Sequence, residues 1–212
     1  KRACLDAYET GGELVLTQEE TAETIVPDYC PDIARIIETD GKVYIHSREL
    51  RDGKAELSGN VRVTVLYTPD GESGIRTLEF AMPFTVEGDG RGLSGCTCLT
   101  ADIEPEFLET RMLNPRKIFT HCKLVTHLVG YQKAALNFCT DLEGAEGLAV
   151  EKRQEQQRAI LLTHIAEKDF TFTEEMNLSP GREGAAELLT SQVSSTVTET
   201  KIVGSKLIFK GV

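Results

Sequence analysis

The sequence predicts a mostly β fold: an antiparallel β-sandwich or barrel-like module with one short helix, followed by a partial second copy. Three observations support this prediction. Apolar and polar residues alternate with a period of two in several long runs, tight turn sequences separate those runs, and a degenerate pattern returns after about 152 residues. Tight turns between alternating runs are typical of antiparallel neighbours, so we expect a meander.

The chain opens with a short strand and a stretch that contains two prolines. Glu13 to Thr17 has the branched and apolar residues of a strand, and Val26 to Ile37 reads VPDYCPDIARII. Pro31 suits the first turn of a helix, where Asp32 would interact favourably with the helix dipole. Apolar residues recur at helical spacing behind it, at Ile33, Ile36 and Ile37. We therefore expect a helix of about two turns that ends at Asp40-Gly41.

Alternating strands follow this helix. Arg51-Asp52-Gly53-Lys54 and Pro69-Asp70-Gly71 are turn sequences that divide three alternating runs into a meander. Gly88 to Gly95 contains four glycines, which predict a loop. Later strands are predicted at Leu99 to Ile103, Phe107 to Leu113, Ile118 to Tyr131, Ala159 to Ile165 and Asp169 to Thr173. The strand that ends at Tyr131 has apolar residues on both faces, which predicts a central, two-sided position.

An internal repeat sets the predicted domain boundaries. The repeat pairs Ile45 with Val197 and Gly59 with Gly211. Few positions are identical, but the order strand, proline, helix, hairpin and glycine is harder to obtain by chance than alternation alone. We expect a complete module at residues 1–140, a linker at 141–148, and the opening part of a second, truncated module at 149–212.

Charge and composition argue against several functions. The formal net charge is -11, from 34 acidic and 23 basic residues, so we expect no nucleic-acid partner. No run of about 18 apolar residues is present, so we expect no membrane insertion. The chain begins at Lys1 without an apolar leader, as a processed fragment would, and this leaves a removed signal peptide open.

The cysteines predict thiols rather than a disulfide framework or a metal site. Six cysteines in 212 residues are too sparse for the framework of a small secreted protein. Cys96-Thr97-Cys98 is a C-x-C pair, and on one strand both thiols would point to the same face. The spacing of a zinc ribbon is missing around it, so we expect separate reduced thiols and a reducing compartment.

Several short motifs resemble one known family. They are VPDYCPDIARII at residues 26–37, Ser47-Arg48-Glu49 with Leu57-Ser58-Gly59, Val65-Leu66-Tyr67, Met82-Pro83-Phe84, and Asn114-Pro115-Arg116-Lys117-Ile118. Together they resemble the SPOCS-type domain, a domain of unknown function from spore-forming bacteria. The resemblance is good over residues 12–131 and loose over 159–212, where Gly184-Ala185-Ala186 replaces the Pro-Asp-Ile core.

This resemblance implies tandem copies, often followed by a LysM module, and a role in spore-coat assembly. At least one member of the family binds a coat morphogenetic protein; no LysM pattern is present in these 212 residues. By resemblance we expect a non-catalytic interaction or structural module without a cofactor. Its expected partner is a protein of the spore coat or envelope, and its expected location is the mother-cell cytoplasm or the spore surface.

A carbohydrate or cell-wall-associated binding module is the alternative, and a hydrolase is less favoured. Trp is absent and aromatic residues make up 6%, which argues against a sugar-stacking cleft. His121 and Cys122 are neighbours on a predicted strand, so they face opposite sides and cannot form a dyad. Two acidic groups fit solvated faces better than a metal site. These groups are Glu19, Glu20 and Glu23, and Glu104, Glu106 and Glu109.

The VPDYCPDIARII stretch is the most unusual part of the sequence and holds the candidate partner-binding residues. They are Asp28, Tyr29, Asp32 and Arg35. In the second copy the apolar positions recur near Leu188, whereas the aspartate and the cysteine do not. We therefore expect this element to act mainly as a plug that packs at one end of the module, with any specific function confined to the first copy. The expected mode of binding is a protein interface, with pairing at an exposed sheet edge as one form of it.

Overall fold

The computed structural model describes residues 1–141, 147, 149, 151–168, 170–175 and 188–212. They fall into two compact units, Lys1–Phe172 and Thr173–Val212. The strands described in the first unit are β1 (Arg2–Ile25), β2 (Ile33–Arg51), β3 (Lys54–Pro69), β4 (Arg76–Asp89), β5 (Cys98–Asn114) and β6 (Lys117–Cys139). A short 3₁₀ helix, Arg91–Leu93, precedes β5. The second unit contains β7 (Val197–Val203) and β8 (Lys206–Gly211).

Two antiparallel sheets of three strands make up the described part of the first unit. One has the order β1-β6-β5 and the other is the predicted meander, β2-β3-β4. β2 lies beside β5 and β1 lies beside β4. Among the described residues no strand ladder joins the two sheets, so they do not close into a barrel. The prediction of a mostly β, antiparallel fold is confirmed.

One apolar core lies inside the first unit and draws on both sheets. Alternate side chains are buried along each strand, because successive residues of a strand point to opposite faces. β3 contributes Leu57, Val61, Val63, Val65 and Tyr67, and β6 contributes Ile118, Cys122, Leu124 and Leu128. β6 is the central strand of its sheet, as predicted, and its second face carries the side chains of Phe119, Val125 and Val129, which are partly buried. The two faces are therefore both covered in part, and the face toward the core is covered more fully.

The prediction of a short helix after Pro31 is wrong. This segment opens strand β2, and the 3₁₀ turn is the only helix among the described residues. β2 has register shifts after Ile33 and after Ile36. Each bulge inserts a residue and disturbs the alternation of faces, so Ile33 is buried, Ile36 is half-buried and Ile37 is exposed. Two bulges in a strand thus produce the apolar spacing of a helix.

Three other elements differ in length from the prediction. β1 covers 24 residues and extends the predicted strand in both directions. β5 joins two predicted strands across a register shift between Pro105 and Phe107, because the bulge interrupts the alternation there. The glycine-rich loop is shorter than predicted, since β4 continues to Asp89.

The last part of the first unit contains little regular structure in its described residues. No strand forms at residues 151–168 or 170–175, so the strand predicted from Ala159 is wrong, and so is the strand predicted from Asp169 over its described residues. Leu162 makes one antiparallel bridge to β1, in which its carbonyl oxygen accepts a bond from the Tyr8 amide at 2.6 Å. Residues 142–146 and 148 of the predicted linker lie outside the described residues. The boundaries at 140 and 149 stay a prediction.

The β7–β8 hairpin repeats the geometry of the β2–β3 hairpin at an offset of 152 positions. The first turn is closed by the pair Arg51–Lys54 and the second by Val203–Lys206. Both hairpins also have a register shift at the same place, after Ile45 in β2 and after Val197 in β7. Turn position and bulge position therefore coincide in the two parts of the chain.

Each of these bulges faces a glycine for a steric reason. Gly59 stands opposite the first bulge and Gly211 opposite the second. A Cβ atom at Gly59 would collide with the carbonyl oxygen of Tyr44, and a Cβ atom at Gly211 would collide with that of Thr196. The two glycines and the two carbonyl groups are related by the same offset. This agreement supports the repeat, while the extent of the second module stays a prediction.

Candidate functional site

The stretch with two prolines forms the loop that carries the chain from one sheet to the other. β1 ends at Ile25 and β2 begins at Ile33. Val26 and Ile33 are both buried in the core, so the loop is anchored at its two ends. Within it, the Cys30 amide donates to the Pro27 carbonyl oxygen at 2.9 Å, which closes a tight turn. We call residues 26–32 the Tyr29 loop.

Arg116, in the turn between β5 and β6, binds the Tyr29 loop through its guanidinium group. Nη1 donates to the Cys30 carbonyl oxygen at 2.7 Å, and Nη2 donates to the Val26 carbonyl oxygen at 2.9 Å. The same two nitrogens lie 3.0 Å from Oδ1 of Asp32 and 3.3 Å from Oδ1 of Asp28. A guanidinium group offers several donors in a fixed plane and suits such a set of acceptors. We call this set of bonds the Arg116 clamp.

Backbone bonds reinforce the Arg116 clamp. The Val26 amide donates to the Arg116 carbonyl oxygen, and the Ile33 amide donates to the Pro115 carbonyl oxygen, both at 2.9 Å. The turn that carries Arg116 is itself fixed by Asn114, whose side-chain oxygen accepts a bond from the Arg116 amide at 2.9 Å. Each end of the Tyr29 loop is therefore tied to the same turn through main-chain groups.

Tyr67 supports the Tyr29 loop from the interior. Its side chain is fully buried, and its hydroxyl group donates to the Pro31 carbonyl oxygen at 3.4 Å. Burial raises the pKa of the Tyr67 hydroxyl, and the neighbouring Cys30 adds to the increase. The hydroxyl group is therefore protonated at neutral pH and keeps its role as a donor.

The bonds from Arg116 to carbonyl groups contribute more to stability than its ion pairs. A hydrogen bond that involves a charged group contributes about 1.5–3 kcal/mol. The Asp28 side chain is fully exposed and that of Asp32 is about half exposed, and exposed ion pairs contribute little. Arg116 thus fixes the backbone of the loop, while both carboxylate groups stay accessible at the surface.

The Arg116 clamp leaves Tyr29 on the outside of the loop. The Tyr29 side chain is 87% exposed, although the backbone on both sides of it is fixed. Binding a ring on a pre-ordered loop costs little conformational entropy, and tyrosine is enriched among the residues that dominate protein interfaces. Asp28 precedes Tyr29 in the sequence and Asp32 follows it three residues later. The loop therefore presents one aromatic side chain together with two acidic groups.

Three of the four predicted site residues lie on this loop. The fourth, Arg35, lies at the start of β2, where its side chain is exposed. Its carbonyl oxygen accepts a bond from the Thr68 hydroxyl group at 3.3 Å, which ties that part of β2 to β3. The structure thus places Arg35 on the strand that continues the loop, and it assigns no partner molecule to any of the four residues.

Arg116 is the residue that the sequence interpretation missed. In the sequence Arg116 stood out only as part of the family motif at residues 114–118, and it lies 84 positions from Asp32 along the chain. The predicted interaction of Asp32 with a helix dipole is wrong, because β2 replaces the helix. The sequence nonetheless contained a signal for a cation at this site. Asp28 and Asp32 are close together in a stretch whose backbone is restricted by two prolines, and two neighbouring carboxylate groups favour a nearby positive charge.

The candidate nucleophile and base lie on opposite faces of β6, as predicted. Cys122 is fully buried, whereas His121 lies on the other face with its Nε2 atom 3.3 Å from Oε2 of Glu19. Burial raises the pKa of the Cys122 thiol to about 11. The reactive thiolate is therefore scarce at neutral pH, and this pair of residues cannot act as a dyad.

One glutamate of each acidic group forms an ion pair with a lysine. Glu23 pairs with Lys117, and Glu106 pairs with Lys123. Among the residues that the structure describes, no three potential ligands are close enough to hold a metal ion. Glu23 and Glu106 are therefore solvated side chains, each with a counter-charge on the neighbouring strand β6.

The two cysteines of the C-x-C pair do not share a strand. β5 begins at Cys98, and Cys96 precedes it, where its thiol group donates to the Gly92 carbonyl oxygen at 3.4 Å. The expectation that both thiols point to one face of a strand is therefore wrong. All six cysteines are present as thiols in the structure.

A comparison with known protein families gives evidence that is independent of the geometry. Residues 32–113 match the family model described as SipL, SPOCS domain. The SPOCS resemblance seen in the motifs is confirmed over this range. The SPOCS match includes Asp32 and Arg35, whereas Asp28, Tyr29 and Arg116 lie outside it. No curated protein and no solved structure matches the chain.

Two further findings concern enzymatic activity and membrane spans. The description of the matching family names no enzymatic activity. In the described part of the chain, none of the helical structure has the length and apolar character that crossing a membrane requires.

Proposed function

We propose that this chain is a non-catalytic protein-interaction module of spore-envelope assembly, and that the Tyr29 loop docks a coat or envelope protein. The observation that carries the proposal is the exposed ring of Tyr29 on a loop that the Arg116 clamp holds in place. The SPOCS match supports the sporulation setting. Asp28, Asp32 and Arg35 complete the proposed surface.

The partner surface that fits this loop combines two features. An apolar pocket would bury the ring of Tyr29, because buried aromatic anchors dominate the energetics of most interfaces. Basic side chains around that pocket would face Asp28 and Asp32, and such rim charges mainly set association rate and partner choice. The net charge of -11 on the chain favours a basic partner in the same way.

A pair of tyrosine variants tests the proposal. Tyr44, on β2, is a second exposed tyrosine, and its ring lies 5.1 Å from the guanidinium carbon of Arg62. Wild type, Tyr29→Ser and Tyr44→Ser are immobilised and incubated with extract from sporulating cells, and bound proteins are identified by mass spectrometry. We expect one coat or envelope protein to be retained by wild type and by Tyr44→Ser and to be lost by Tyr29→Ser. The melting temperature of Tyr29→Ser should match that of wild type, because the Tyr29 side chain is 87% exposed and has little packing to lose.

Two results would contradict the proposal. One is equal retention of every coat protein by wild type and Tyr29→Ser, which would remove the loop from the interface. The other is the absence of any coat or envelope component from the bound fraction. Binding to a glycan array by the same chains would instead favour the carbohydrate-binding alternative.

A further inference from the structure

The outer face of the β2-β3-β4 sheet separates its charges by sign along the strands. Leu57 and Val61 of β3 are buried in the core, so Glu56 and Arg62 lie on the other face, where both side chains are exposed. These two residues are about 20 Å apart along the strand. On β3, one end of the outer face is therefore negative and the other end is positive.

The neighbouring strands reinforce this separation of charge. The register places Lys42 of β2 beside Arg62, and it places Glu49 of β2 and Glu87 of β4 on the two sides of Glu56. Residues that stand opposite each other in a sheet point to the same face. We call Lys42 and Arg62 the basic pair, and we call Glu49, Glu56 and Glu87 the acidic row.

Short, uncharged side chains lie between the two charged ends on β3 and β4. They are Ser58, Asn60, Pro83 and Thr85. Such side chains leave this part of the sheet flat enough for a second sheet to pack on it. Tyr44 of β2 adds an aromatic ring, which lies 5.1 Å from the guanidinium carbon of Arg62 and helps to orient that cation on the face.

A two-fold axis that runs across the strands, in the plane of the interface, makes this face complementary to itself. Under such an axis, β3 of one copy lies over β3 of the other copy in the opposite direction. Arg62 of each copy then faces Glu56 of the other, and Lys42 faces Glu49 in the same way. A two-fold interface forms every contact twice. β4 adds no attractive pair, because Ala81 is the residue beside Arg62 on that strand, so the attraction depends on β2 and β3.

We propose that this face is a self-association site whose occupant is a second copy of this chain, packed face to face. The complementary charges under the two-fold axis carry the proposal. From Asp40 to Arg51 on β2, with the neighbouring strands, the face measures about 14 Å by 40 Å. Two copies would thus bury about 1,100 Å² in total, which is at the lower end for specific interfaces. We therefore expect a weak dimer that dissociates as salt screens its exposed charges.

Charge reversal at either end of the face tests the proposal, with dimer formation measured by sedimentation velocity over a concentration series of the full chain. Arg62→Glu places like charges opposite each other in both symmetric contacts, and so does Glu56→Lys. Each variant should raise the dissociation constant of the dimer at least about tenfold. An equimolar mixture of the two variants should restore the dimer, because every contact between the two different chains again joins opposite charges.

Matched controls separate this contact from an effect of net charge. Glu13→Lys makes the same change of charge as Glu56→Lys at an exposed residue of β1, and Arg158→Glu does so for Arg62→Glu. Both controls should dimerise like wild type, and all variants are checked for folding by circular dichroism.

Four results would overturn the proposal. They are a wild-type chain that stays monomeric at its highest soluble concentration, unchanged dimerisation of Arg62→Glu, a mixture of the two folded variants that stays monomeric, and a dissociation constant that does not change with salt. The face shares no residue with the Tyr29 loop, so these results are independent of those that test the proposed function.

Discussion

The Tyr29 loop and the β7–β8 hairpin both expose large apolar side chains, but they differ in what lies behind those side chains. Behind Tyr29, the ends of the loop are buried and its carbonyl groups are bound by Arg116. Behind Phe209 and Leu207, the described residues supply no packed layer, and both side chains are more than half exposed. The loop therefore presents one exposed side chain from a backbone that is fixed by hydrogen bonds, whereas the hairpin presents apolar side chains that the described residues leave more than half exposed.

The largest difference in the free energy of unfolding is expected between Ile33→Ala and Phe209→Ala. Ile33 is buried where the Tyr29 loop meets β2, so its truncation should lower the free energy of unfolding by about 2–5 kcal/mol. Phe209→Ala removes a side chain with little packing to lose and should leave the urea-unfolding curve of the first unit unchanged. Comparable destabilisation by both variants would remove the distinction between the two regions.

Arg116→Lys should have the next largest effect on the free energy of unfolding. Lysine keeps the positive charge but loses the planar set of donors, so we expect a loss of about 1–3 kcal/mol and faster exchange of the Val26 and Ile33 amides. Arg111→Lys is the matched control on β5, where the arginine lies 4.7 Å from the Phe119 ring, and it should cost less than about 1 kcal/mol. Unchanged exchange at Val26 and Ile33 in Arg116→Lys would show that the clamp is dispensable.

The two bulge glycines should respond differently to alanine. In Gly59→Ala the new methyl group meets both the Tyr44 carbonyl group and the Phe84 ring, and overpacking of this kind costs about 1–3 kcal/mol. In Gly211→Ala the methyl group meets the backbone at Thr196 within the same hairpin. We expect loosening of β7–β8 in hydrogen exchange, without a change in the unfolding of the first unit. Equal losses of global stability would contradict this difference.

We expect the stability that the buried Cys122 thiol contributes to the first unit to depend on pH, and this effect should be smaller than the preceding ones. The pKa of Cys122 is raised from 9.0 to about 11 by burial. A raised pKa in the folded state means that the contribution of the neutral thiol is complete below pH 9 and is lost as the pH rises through about 11. The stability difference between wild type and Cys122→Ala, measured by urea unfolding, should therefore shrink between these two pH values. A constant difference would show that the thiol is not desolvated.

Much of the fold could be predicted because its signals are local. Val61, Val63 and Val65 alternate as a half-buried strand requires, and they are core residues of β3. The turn at Asp52-Gly53 was also predicted, since left-handed backbone favours these residue types and the structure has positive φ at both residues. The first part of β2 could not be predicted, because the bulges after Ile33 and Ile36 give the apolar residues the spacing of a helix.

The candidate site was predicted only in part, for a different reason. Asp28, Tyr29 and Asp32 are neighbours in sequence and could be found together. Their cation, Arg116, is supplied by a distant turn, and only the antiparallel pairing of β1 with β6 brings that turn to the loop. Local patterns indicate which residues are unusual, whereas the fold decides which of them become bonded and which remain exposed.

One measurement tests the central claim most directly: retention of a coat or envelope protein from sporulating cells by wild type, Tyr29→Ser and Arg116→Lys, each shown to be folded by circular dichroism. If the Arg116 clamp presents Tyr29 to a partner, wild type should retain that protein and both variants should lose most of it. Equal retention by all three chains would contradict the claim.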